Sequence, residues 1–73
     1  MTPKMIKVES SAINYVGYDH ESKTLYLEFH AGRRTYAYYD VEQSVYDELL
    51  KAPSIGAFVA KKIVGYYDFG RID

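Results

Sequence analysis

Thr24-Leu-Tyr-Leu-Glu-Phe29 alternates strictly: Leu25, Leu27 and Phe29 are apolar on one side, and Thr24, Tyr26 and Glu28 form the other. That period of two is the signature of a half-buried β-strand. His30-Ala-Gly-Arg33 follows as a compact turn in which Gly32 is free to take a positive φ, and Arg34-Thr-Tyr-Ala-Tyr-Tyr39 then resumes β-rich sequence. Upstream, Ile13-Asn-Tyr-Val-Gly-Tyr-Asp19 is β-branched and aromatic, and the polar run Asp19-His-Glu-Ser-Lys23 joins it to the central strand. Short turns between three strands imply an antiparallel meander. Ile6 to Val8 is a further candidate for a short edge strand, and Ser10 and Ser11 have the hydroxyls that tie a turn to its own backbone.

At Asp40 the period changes to about 3.6. Asp40 reads as an N-cap with Gln43 bonding back, and Val41, Val45 and Leu49, supported by Tyr46 and Leu50, make an apolar stripe. Pro53 ends this helix near Ala52, and Ser54 can cap a second one over Ile55 to Val64, with Lys61 and Lys62 at its negative end and Gly65 as its stop. Tyr66 to Phe69 can add an extended segment along the sheet. The expected fold is therefore α+β: a three-stranded antiparallel meander packed on a C-terminal helical hairpin, β-β-β-α-α. A single domain over 1–73 is expected, its core spanning about 8–67, with 1–5 and 70–73 flexible.

Composition narrows the function classes. The chain has 73 residues, 9 Lys and Arg against 10 Asp and Glu, and no cysteine. A domain this small buries roughly 60% of its unfolded surface, which leaves little material for an elaborate catalytic cavity. Thiol chemistry and Cys-based zinc sites are excluded, and the expected location is a reducing cytoplasm. A net charge of -1 argues against a dedicated duplex-DNA binder. The N-terminus lacks the apolar stretch of a leader, no run approaches the ~18 apolar residues that span a bilayer, and the whole chain is expected to be the mature protein.

The nine tyrosines are the compositional anomaly. Alternation puts Tyr36 and Tyr38 with Leu25 and Leu27 in the core, and leaves Tyr15, Tyr26 and Tyr39 on the opposite face. There they either stack on unpaired bases or fill the sheet surface. Arg33 and Arg34 at a hairpin end, and Lys61 and Lys62 at a helix end, could frame a phosphate path, while Glu28 on the Tyr26 face would oppose it. His20 and His30 sit in turns at opposite ends of one strand, which does not make a metal site, and no cofactor is expected. Ser10, Ser11, Asp19 and His20 form a polar cluster with no nucleophile-base pair, so no enzyme is expected. Gly56 after Ser54 fits close packing of the second helix on the first better than anion binding.

Val8-x-Ser10-Ser11-x-Ile13, Gly17-Tyr18-Asp19, Leu25-x-Leu27-x-Phe29, Tyr36-x-Tyr38, Val41 with Val45-Tyr46, and Ala52-x-Ser54-x-Gly56 together resemble the KTSC domain. That small domain occurs at the C-terminus of some lysyl-tRNA synthetases and as a stand-alone bacterial or phage protein. The resemblance covers Val8 to Tyr67 and departs at Ala60, where the pattern has Asn. It implies a non-catalytic binding module with RNA as partner. The alternative is a protein-interaction module, or a modulator encoded by a phage or mobile element, that docks another protein through its aromatic sheet face. The net charge fits this alternative better.

Overall fold

The computed structural model describes residues 3–72. The chain runs β1 (Ile6–Lys7), β2 (Ile13–Asp19), β3 (Thr24–Phe29), a 3-10 turn (Ala31–Arg33), β4 (Thr35–Tyr38), α1 (Gln43–Lys51), α2 (Ile55–Phe58) continuing as a π-helical turn (Val59–Ile63), and β5 (Phe69–Arg71). Among the described residues the sheet has five strands, all pairs antiparallel, in the order β1-β2-β3-β4-β5. The α+β class stands, and the three-stranded β-β-β-α-α count is corrected to β-β-β-β-α-α-β. β1 is two residues long and β5 is centred on Gly70, so neither carries a strand signal of its own; pairing with a longer neighbour makes them strands. Residues 70–72, expected among the flexible ends, join the sheet on the same ground: Gly70 and Arg71 pair with β4 and the Ile72 N–H donates to the Thr35 carbonyl at 3.0 Å. Residues 1, 2 and 73 of those ends lie outside the described residues.

The register confirms which side chains share a face. Val16 opposes Leu27, Leu27 opposes Tyr36, and Leu25 lies between Tyr18 and Tyr38. This face packs under the helices: Ile13, Val16, Leu25, Leu27, Val41, Leu49 and Ile63 are fully buried. Leu50 is exposed instead of supporting the stripe, because one residue of helix rotates it about 100° from Leu49.

The first helix begins later than Asp40. Asp40 takes a left-handed conformation (φ 58°), which a short polar side chain tolerates, and the Val41 N–H is held by the Lys23 carbonyl at 2.8 Å. Glu42 becomes the N-cap. Val41 and Tyr46 then stand at the positions of a hydrophobic staple, Val41 in the core and Tyr46 packed against it. Ser54 caps the second helix as expected, its Oγ accepting from the Ala57 N–H at 3.3 Å. That helix widens at Val59, whose carbonyl accepts from the Val64 N–H at 2.9 Å, five residues on. Both Val59 and Ile63 are thereby buried. Gly56 does pack closely, but not on α1: a Cβ there would lie 3.1 Å from the Ala12 Cβ and 3.6 Å from the Ser10 Oγ. Its neighbour is the loop in which Ser10 Oγ accepts from the N–H groups of Ala12 and Ile13, both at 3.2 Å.

Candidate functional site

The sheet face away from the helices is shaped by an irregularity in β2. Ile13 opposes Phe29 and Tyr15 opposes Glu28, so the extra residue Asn14 bulges and shares the Glu28 position. The Asn14 Nδ2 donates to Glu28 Oε2 at 3.0 Å, and Asn14 Oδ1 lies 3.1 Å from His30 Nδ1. An amide oxygen only accepts, so His30 Nδ1 is the donor in this contact. These three side chains form one wall of a depression of about 460 Å³, completed by Lys7, Tyr15 and Arg33. Lys7 arrives there because β1 pairs it with Tyr15. Arg33 arrives because Gly32 and Arg33 are both left-handed (φ 73° and 51°), a conformation that is costly for Arg and that turns it out of the strand path.

Toward the centre of this face large side chains lie over small ones. A Cβ on Gly17 would be 2.6 Å from Met5 Sδ and 3.3 Å from Pro3 Cγ, and one on Gly70 would be 3.0 Å from the Tyr39 hydroxyl. Ala37, between Tyr26 and Gly70 in the register, is 2% exposed although it faces away from the helices. Tyr26 is half-buried in that layer, whereas Tyr15 and Tyr39 are 38% and 43% exposed.

Of the seven residues singled out from sequence, the structure brings Tyr15 and Arg33 together in the depression. Tyr26 sits in the central layer and Tyr39 over Gly70 at the β5 edge. Arg34, extended at φ -94°, lines a different groove with Phe29, Tyr36 and Phe69. Lys61 and Lys62 line a third, apolar hollow with Pro53, Ala57 and Phe58. Arg33 and Arg34 therefore serve different surfaces, because a left-handed residue separates their directions. Lys7, Asn14 and His30 were missed as members of one site. The Ile6-Lys7 alternation was the available signal for Lys7; the bulge that aims Asn14 has none in the sequence.

The shifted acidities lie elsewhere. Burial, then the Glu42 charge, raises Tyr18 above the ordinary 10.0; burial also raises Tyr38 and Tyr46. A folded-state tyrosine that holds its proton longer than the unfolded one stabilises the fold fully below pH 10.0, and that contribution is lost as pH rises through the folded value. The melting temperature should accordingly fall as pH rises above 10.0, and Tyr18→Phe should flatten part of that fall in a thermal scan. Asp19 moves the other way, held down chiefly by the Glu21 N–H that donates to its Oδ1 at 3.0 Å. Its contribution is present above 3.8 and lost as pH falls through the lower folded value.

Among the described residues, no group of three or more His, Asp or Glu is placed to hold a metal ion, and no helix is long and apolar enough to cross a membrane.

Comparison with known proteins places these features in context. The sequence model of the KTSC domain matches residues 9–67. A protein of Tsukamurella paurometabola is 51% identical over 55 residues, covering 75% of this chain and 81% of its own. A lysine-tRNA ligase of Nostoc punctiforme is 35% identical over 68 residues, 93% of this chain but 12% of the ligase. The crystal structure of a KTSC domain protein from Yersinia pestis superposes with a TM-score of 0.92 at 28% identity, covering 96% of this chain and 97% of that one.

Proposed function

We propose that this chain, which belongs to the KTSC domain family, is a non-catalytic cytoplasmic module that binds RNA by seating an unpaired base in the open-face depression. The observation that carries the reading is the convergence of one partly exposed ring, Tyr15, and two cations, Lys7 and Arg33, on a hollow walled by Asn14, Glu28 and His30. Tyr15 offers a stacking surface that accepts any base. Lys7 and Arg33 meet the flanking phosphates, and Glu28, already engaged on Oε2 by Asn14, keeps Oε1 to accept a base N–H. The carboxylate offsets part of the attraction for phosphate, which restricts the site to a strand that presents a base as well as a backbone. The tRNA ligase relative supports the same reading, since a segment like this one forms part of a protein named for its action on a tRNA.

The test is a backbone amide titration with a mixed pool of short single-stranded RNAs at low and physiological salt. Shifts should gather on Lys7, Asn14, Tyr15 and Arg33. Tyr15→Ala should weaken binding roughly 5- to 150-fold, equivalent to about 1–3 kcal/mol for one stacked base. Two phosphate contacts predict a log-log salt slope of about -1.4, reduced to about -0.7 in Arg33→Ala. Absence of shifts at low salt, or equal loss on Arg34→Ala, overturns the proposal.

A further inference from the structure

A second surface, independent of the RNA reading, lies at the β5 edge on the helix side of the sheet. Phe29, Tyr36, Tyr38, Val64 and Phe69 line a groove of about 400 Å³ with Arg34. Its rings are already locked together: Phe29 meets Tyr36 edge-on at 5.6 Å, Tyr36 meets Phe69 at 5.8 Å, and Phe69 leans on Tyr38 at 5.5 Å. Yet Phe69 is 58% exposed and Val64 49%. Exposed apolar surface of this kind is where small domains meet their partners.

Two observations say what fits it. First, the Tyr39 N–H donates to the Asp68 carbonyl at 2.9 Å and the Ile72 N–H to the Thr35 carbonyl at 3.0 Å. Antiparallel alternation then makes Ala37 and Gly70 the inward-bonding pair between them and turns the N–H and C=O of Phe69 outward, at the end of the sheet. Outward peptide groups beside side-chain hollows are the template for an added strand. Second, among the described residues no carboxylate lines the groove and Arg34 has no ion-pair partner.

We propose that the β5 edge captures an extended peptide segment of a partner protein, with one large apolar side chain in the aromatic groove and an Asp or Glu two residues away, on the same face, against Arg34. The strand supplies backbone pairing at Phe69, the groove reads the apolar residue and Arg34 reads the acid.

The probes are two blocked hexapeptides, Thr-Val-Leu-Thr-Asp-Thr and its counterpart with Lys in place of Asp, titrated into the full chain and followed by amide shifts. Shifts should concentrate on residues 34, 36 and 69–71, with the Asp peptide bound about fivefold more tightly, the scale of one partly exposed ion pair. Arg34→Ala should abolish that preference while Phe69→Ala weakens both peptides, each variant keeping wild-type shifts in β2 and β3 as evidence of folding. Equal binding of the two peptides, shifts on the open-face depression instead, or a concentration-dependent dimer that perturbs β5 without peptide overturns the proposal.

Discussion

Leu27→Ala should lower the unfolding free energy by about 3 kcal/mol, and Tyr26→Ala, one residue away, by less than half of that. The two side chains leave the same strand in opposite directions. Leu27 is fully buried, facing Val16 on one side and Tyr36 on the other, whereas Tyr26 is half-buried among Gly17 and Ala37. Truncating Leu27 removes apolar contacts and leaves a cavity that a sheet under helices cannot close. A domain of this length has a total stability of about 4–11 kcal/mol, so the Leu27 variant should show a much lower urea midpoint and a partly unfolded population on mild heating. Equal losses for the two variants would mean that the open face is a second core, not a surface layer.

Tyr18→Ala should cost about 3 kcal/mol and Tyr18→Phe about 1 kcal/mol. Tyr18 joins the sheet to the start of α1 in two ways. Its ring stacks on Tyr46 with centroids 5.2 Å apart and planes 14° from parallel, and its hydroxyl donates to the Val41 carbonyl at 2.5 Å. The Phe variant keeps the stack and loses only the hydrogen bond to a carbonyl at a buried residue. Urea denaturation of both separates the two contributions. Equal losses would assign the whole effect to the hydroxyl and none to the stack.

The elements legible in the sequence are those whose information is local. Alternation in β3 identified Leu25 and Leu27 as core and, through pairing, placed Tyr36 and Tyr38 beside them. Ser54 announced its cap and Pro53 the break before it. What was not legible depended on partners distant in sequence. β1 and β5 exist through their neighbours, and the first-helix cap moved to Glu42 because Asp40 is left-handed and the Lys23 carbonyl holds the Val41 N–H. The candidate site failed to assemble on paper for a similar reason. Composition groups Arg33 with Arg34, while a left-handed backbone at Arg33 sends them to different surfaces, and a bulge at Asn14 builds the polar wall that alternation alone cannot describe.

The strand order has a consequence in time. β1 to β4 join neighbours through short connections, so their pairings close small loops, but β5 meets β4 only after the chain has traversed both helices, a loop of about 30 residues. Closing a loop of that length costs more chain entropy than closing the short ones, and the short edge strand it brings in has few buried contacts to hold it. The polar depression is encoded wholly between Lys7 and Arg33, whereas the aromatic groove needs Phe69 in place. A chain leaving the ribosome therefore presents the segment for the first surface well before it can complete the second, and hydrogen exchange should find the β5 amides opening while β2 and β3 remain closed.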